Sequence, residues 1–219
     1  MLGSILKDLI RSGKPSSAPK SGRRRVLNVG GGSKAARIPG HYDDWEQVLL
    51  DIDRRGSPDI VCDARELGSL PASQFDAVFC SHNLEHYYPH DGARVLKGFL
   101  HVLKADGFTE IKVPDIQAVM KRAVHAGMDV GDVLYDSASG PITAHDVLYG
   151  FGKEIEQSGQ DYYAHKTGFT PKSLHRALER AGFGTIFVFE APEVYEAKAL
   201  AFKSEPTAEQ RRLLNLAAT

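Results

Sequence analysis

Three consecutive glycines, Gly30-Gly31-Gly32, close the short apolar run Val26-Leu27-Asn28-Val29 and are followed by Ser33. A second apolar run, Val48-Leu49-Leu50, closes on Asp51, 21 positions after Gly30. This spacing reads as strand, tight turn, crossover, strand. Glycines lack the Cβ that would keep the backbone away from a ligand, and a carboxylate at the tip of the next strand can accept hydrogen bonds from ribose hydroxyls. The pair points to a nucleoside-containing ligand held at the carboxyl ends of a parallel sheet.

The rest of the chain extends this pattern. Short apolar runs at 25–29, 48–52, 60–62, 75–80 and 109–113 read as strands, and 93–103 has apolar residues at helical spacing. Thr170-Pro171 opens another helix and Gly182 closes it. Runs at 185–189 and 197–202 are joined by a short link and should pair antiparallel. The expected fold is α/β: a Rossmann-like, doubly wound, mostly parallel seven-stranded sheet with an antiparallel final strand and an inserted lid segment. The expected divisions are an arm over 1–24, a main domain over 25–203 with the lid at 115–169, and a C-terminal helix within 204–219.

Bulk properties exclude several classes. No apolar run approaches the roughly 18 residues of a membrane span. Residues 1–10 lack a secretory apolar core, and the only cysteines are Cys62 and Cys80, each in or beside an apolar run. A cytoplasmic enzyme is therefore expected. The net charge of −1 hides a basic start: seven Lys and Arg against one Asp in residues 1–25, on an otherwise acidic chain. An acidic body argues against nucleic acid as a partner. The Ser-, Pro- and Gly-rich stretch 12–22 reads as a linker, and residues 1–11 could form a dimer arm, so a homodimer stays open.

Residues 30–35 formally fit the dinucleotide fingerprint G-x-G-x-x-A. That fingerprint needs a long helix whose N-terminus meets a pyrophosphate. Pro39 and Gly40 interrupt the chain within two turns, so any helix here is short and a phosphate-free cofactor fits better. An NAD(P)-dependent oxidoreductase remains the rival.

The succession VLNVGGGS, LLDID, DIVCDARELGSLPASQFDAVFCSHNLEHYY, LKADGFTEIKVPD and HKTGFTPKSLHRALERAGF resembles the class I S-adenosylmethionine-dependent methyltransferases. It is closest to the small bacterial, type 11-like kind whose fourth strand leads into an H-x-L-E-H segment. The resemblance covers roughly residues 25–203. It implies S-adenosyl-L-methionine as cofactor and S-adenosyl-L-homocysteine as product. By position it implies Gly30, Gly31 and Gly32 under the methionine portion, with Asn28 where the family more often has an acid. Asp51, followed by Ile52, matches the ribose-binding acid, although Asp53 is an alternative. Asp63 and Ala64 match the turn at the adenine, where Asp63 could instead only cap residues 65–67. Ser81 and His82 fall at the methionine end. A non-catalytic module that binds the same cofactor is a further alternative, for which Asn28 is a mild hint.

Within 82–86 lies H-x-x-E-H. On a helix, His82 and His86 would share a face at metal-ligand spacing, as in a set of zinc peptidases. The segment follows a strand and no second metal-spacing cluster appears in the sequence, so no metal is expected; Glu85 and His86 could equally be structural ties.

Methyl transfer from a sulfonium asks mainly for alignment and exclusion of water. A hydroxyl acceptor also needs a base, and the candidate catalytic residues are His82, His86 and His165. His145, Tyr149, Tyr162 and Tyr163, in the Gly- and Tyr-rich segment after strand five, are the candidate substrate contacts. Aromatic walls with polar tips suit a small amphipathic molecule or a sugar-containing glycan precursor. The acceptor atom, oxygen, nitrogen or carbon, is left open.

Overall fold

The computed structural model describes residues 22–137 and 140–217. Residues 1–21 of the expected basic arm lie outside them. Seven strands form one sheet: β1 (Arg25–Val29), β2 (Glu46–Asp51), β3 (Ile60–Val61), β4 (Phe75–Ser81), β5 (Leu103–Pro114), β8 (Thr185–Ala191) and β9 (Glu196–Phe202). Their spatial order is β3-β2-β1-β4-β5-β9-β8. Pairs among β1 to β5 are parallel, and β9 runs antiparallel to both β5 and β8. The order reverses at β1, so β1 and β4 diverge at a topological switch point, where open α/β sheets bind ligands.

Residue alternation divides the sheet into two unlike faces. Leu27, Val29, Val78, Cys80, Ile111, Val113 and Ala199 pack under helices α1 (Pro89–Val102) and α5 (Pro171–Ala181). Helix α5 is fixed by a Thr170–Ser173 capping box, Pro171 in its first turn and Gly182 in the left-handed conformation at its end. Its Leu174 and Leu178 are fully buried, each stabilising by roughly 1.5–3 kcal/mol. On the opposite face Val26, Ala77, Phe79, Phe108, Leu200 and Phe202 meet Tyr42 and Trp45 of the β1–β2 crossover.

That crossover holds no α-helix, only a 3-10 turn over Gly40–Tyr42. The short helix expected after the glycines is absent among the described residues, because Pro39 and Gly40 cut its reach. Aromatic packing fills the layer a helix would occupy: Tyr42 meets Trp45 edge-on at 5.2 Å and stacks with Phe108 at 6.4 Å.

Two boundaries move. Helix α1 starts four residues before the expected 93, with Pro89 in its first turn. Strand β5 begins at Leu103, since residues 103–107 continue as an irregular, bulged extension paired through Phe75.

Between β5 and α5 the chain inserts α2 (Ile116–Ala126), the hairpin β6 (Val133–Ser137) and β7 (Gly140–Thr143), α3 (Ala144–Tyr149) and α4 (Gly152–Ser158). A last helix, α6 (Ala208–Leu213), falls within the expected 204–219 and is capped by a Thr207–Gln210 box.

Candidate active site

A cleft of about 450 Å³ opens at the carboxyl ends of β1, β2 and β4. Gly30, Gly32, Asp51, Ile52, Asp63, His82 and His86 line it, together with Tyr162 and Tyr163 from the insertion.

Asp51 organises its floor. One carboxylate oxygen accepts from the Gly32 amide at 2.9 Å and the other from the Asp53 amide at 2.8 Å. The acid thus locks the glycine turn to the β2 tip, and each oxygen keeps a lone pair for a hydroxyl. Gly30 and Gly32 both have positive φ, 70° and 66°, a region that costs other residues. Beside Asp51, the Ile52 side chain is 44% exposed, leaving an apolar surface open to the cleft.

Asp63 does both things the sequence left open. It lines the cleft and caps the following 3-10 turn, accepting from the Arg65 amide at 2.9 Å. Burial pushes its carboxyl up, but the Arg65 hydrogen bonds prevail and hold it below the usual range. Asp53, the alternative ribose acid, also lines the cleft, with its carboxylate engaged by protein groups. It accepts from Arg55 Nε at 2.7 Å and from Tyr163 Oη at 2.7 Å. The Arg55 bond chiefly brings its pKa down to about 2. Arg55 also reaches Glu154 at 3.1 Å. These contacts latch the insertion over the β2–β3 loop.

Seven of the candidate residues lie outside this lining, Gly31 and His165 among them. Asn28 and Ser81 do not line this cleft. They project from the other sheet face into a neighbouring cavity of about 570 Å³, shared with Gly31, His41, Glu110, Lys112 and Lys198. Alternation along β1 and β4 decides this, since residues 28 and 81 share the parity of Val26 and Phe79 rather than that of Leu27 and Cys80. Ala64 is buried in the core and lines neither cavity. His145 and Tyr149 also line neither; their rings contact each other at 4.9 Å and Tyr149 is mostly exposed. They sit on α3, which turns them away from the cleft.

The three histidines divide. His82 has a φ of 48°, and only Leu84–His86 form a turn, of 3-10 type, so His82 and His86 do not share a helix face. His82 Nε2 lies 3.1 Å from Glu196, and its Nδ1 lies 3.6 Å from Glu85. Burial disfavours its charge, but the two carboxylates outweigh burial and lift its pKa to about 9. At neutral pH it holds its proton. His86 and His165 come together instead, with ring centroids 4.8 Å apart. Burial draws His165 below its ordinary value, so that ring is neutral.

Sequence reasoning missed Asn83, Tyr87, Tyr88 and Lys166, which also line the cleft. Asn83 stands over the glycine turn, and its buried side-chain oxygen has no partner. Its place directly after His82 was the available signal.

Residues 40–111, about a third of the chain, match the family model described as a methyltransferase domain. Solved structures share the fold at low identity. A SAM-dependent methyltransferase from Archaeoglobus fulgidus is 18% identical with a TM-score of 0.52, covering 91% of each chain. One from Methanosarcina mazei is 16% identical with a TM-score of 0.53, over 83% of this chain and 93% of that one. A SAM-dependent methyltransferase described as a possible histamine N-methyltransferase, from Thermotoga maritima, is 15% identical with a TM-score of 0.51, over 82% of each. No curated protein matches the chain. The protein has the class I methyltransferase fold, and its β2–β5 segment carries a methyltransferase-domain sequence.

Proposed function

We propose that the protein transfers the methyl group of S-adenosylmethionine to a small molecule or glycan precursor, at an oxygen, nitrogen or carbon atom. The observation that carries this reading is the convergence of Gly30, Gly32, Asp51, Ile52 and Asp63 on one cleft at the end of a sheet with the methyltransferase strand order. Asp51 takes the ribose hydroxyls, Ile52 packs on the adenine, and Asp63 accepts from its amino group. The glycine turn admits the methionine portion without a Cβ in its path.

The missing helix after Gly32 supports this cofactor over a dinucleotide, because no helix N-terminus is there to meet a pyrophosphate. Tyr162, Tyr163 and the latch to Asp53 close the insertion over the cofactor, which excludes water from the sulfonium. Tyr162 and Tyr163 thus border the cofactor end, and the acceptor lies toward the β4 tip. Protonated His82 places positive charge there. For a hydroxyl acceptor, proton removal falls to His86, which lines the cleft with His165 behind it.

S-adenosylhomocysteine at 100 times its Kd should stabilise the fold by about 2.7 kcal/mol, read as a melting-temperature rise. Incubation with methyl-labelled cofactor and a metabolite extract should then transfer label to an acceptor. No shift at millimolar ligand would contradict the cofactor. A shift with no labelled product in any extract would leave a binding module.

A further inference from the structure

The turn after β4 and the end of the insertion bring together a buried carboxylate and two imidazoles. Glu85 is 1% exposed, and neither of its carboxylate oxygens has a hydrogen-bond partner. One ligand atom each from Glu85, His86 and His165 lies within 4.8 Å of the others. His82 faces Glu85 from 3.6 Å, beyond hydrogen-bond length, with its other nitrogen on Glu196.

The outer nitrogens of the two rings are engaged. His165 Nδ1 lies 2.8 Å from the Val147 carbonyl, and His86 Nδ1 lies 3.2 Å from the Ala164 carbonyl. A carbonyl oxygen only accepts, so each Nδ1 carries a hydrogen, and the lone pair of either ring in its unprotonated form sits on Nε2. Metal-binding histidines are oriented in this way, by a backbone carbonyl on the far nitrogen. His165 Nε2 sits 3.9 Å from Glu85 Oε1. Two acceptors face each other there with no donor between them. Two ligand atoms about 2.1 Å from a tetrahedral zinc lie roughly 3.4 Å apart, so a bound cation draws these two acceptors closer together.

We propose that Glu85, His86 and His165 bind a divalent first-row transition metal of the zinc type. Two imidazoles and a carboxylate form a donor set that suits such an ion and is too nitrogen-rich for magnesium or calcium. Three protein ligands leave one tetrahedral position for water or a substrate oxygen. His86 lines the cleft, which puts the ion at its wall. The sequence alone did not show the site, because the third ligand comes from 79 positions beyond His86 and the pairing is not the i, i+4 helix pattern. The ion would hold the insertion to the β4 tip, where the Lys166 and Thr167 amides already donate to the Glu85 carbonyl. It would occupy the two rings otherwise available as bases.

The test is cobalt(II) titration of the full chain after chelator treatment, followed by visible absorption and metal analysis. The expected result is one equivalent bound at micromolar concentration, with the intense visible bands of a four-coordinate site, displaced by zinc. Glu85→Gln and His165→Ala should each weaken binding at least tenfold, while His145→Ala, outside the cluster, leaves it unchanged. Wild-type protein that binds no stoichiometric cobalt or zinc overturns the proposal whatever the variants do. So does binding that both ligand substitutions leave intact. S-adenosylhomocysteine binding, measured on the same metal-free protein, depends on Asp51 and reports separately on the cofactor cleft.

Discussion

Substituting alanine at Gly30 and at Gly32 separates two costs that the glycine turn avoids. Both residues have positive φ, so alanine at either meets the left-handed penalty of about 1–2 kcal/mol. Their surroundings differ. A Cβ on Gly32 meets nothing within 4 Å, whereas one on Gly30 lies 2.8 Å from Asn83 Cβ and closer still to its amide. Gly30→Ala therefore adds an overpacking cost of roughly 1–3 kcal/mol. The expected totals are about 1–2 kcal/mol for Gly32→Ala and about 2–5 kcal/mol for Gly30→Ala. Urea unfolding of both variants measures the difference. Adding Asn83→Ala to Gly30→Ala should return only part of the steric cost, because it removes the closer amide contacts but leaves the 2.8 Å Cβ contact. In the wild-type background Asn83→Ala should cost little, since its buried oxygen has no partner to lose. Equal destabilisation by the two glycine variants, or no rescue in the double variant, would refute this account of the turn.

Other consequences can be checked singly. Asp51→Asn retains one acceptor but loses a charged partner for the ribose, worth about 1.5–3 kcal/mol; calorimetry should show S-adenosylhomocysteine affinity falling roughly ten- to hundredfold, and an unchanged affinity would remove Asp51 from the site. Tyr163→Phe deletes the hydroxyl bonded to Asp53 and should speed amide exchange across 150–163 while weakening cofactor binding by less than about tenfold. Glu110 is buried beside His41, Tyr42 and Lys198. Burial pushes its carboxyl up, yet His41 and Lys198 together hold it below the usual value. A depressed folded pKa contributes stability that is present above the unfolded value, about 4.3, and is lost as pH falls through the folded one. Glu110→Gln should therefore be less stable than wild type at pH 7, with a gap that narrows below about pH 4.3; a gap independent of pH would contradict the ion-pair reading.

Local signals made most of the sheet readable. Apolar runs bounded by turn residues placed β1, β2 and β4, and cap chemistry placed α5 within a residue. The insertion was harder. Its hairpin and short helices α3 and α4 expose much of their surface, so no apolar period marks them, and α3 depends on a Thr143–Asp146 box that only tertiary contacts make decisive. The cleft floor was readable because Gly30, Gly32 and Asp51 are neighbours through strand pairing. Asn28 and Ser81 line the neighbouring cavity rather than the Asp51 cleft, because a motif fixes position along a strand, whereas the side of the sheet follows from parity against the core. The Glu85–His86–His165 cluster depends on a contact between distant segments, which spacing does not encode.

The most direct measurement is a crystal structure of the protein with S-adenosylhomocysteine. The account predicts the nucleoside in the cleft, with ribose hydroxyls on Asp51, the base between Ile52 and Asp63, and Tyr163 closed above it. Density confined to the neighbouring cavity beside Asn28 and Lys198, or a cleft that stays empty at saturating ligand, would contradict it.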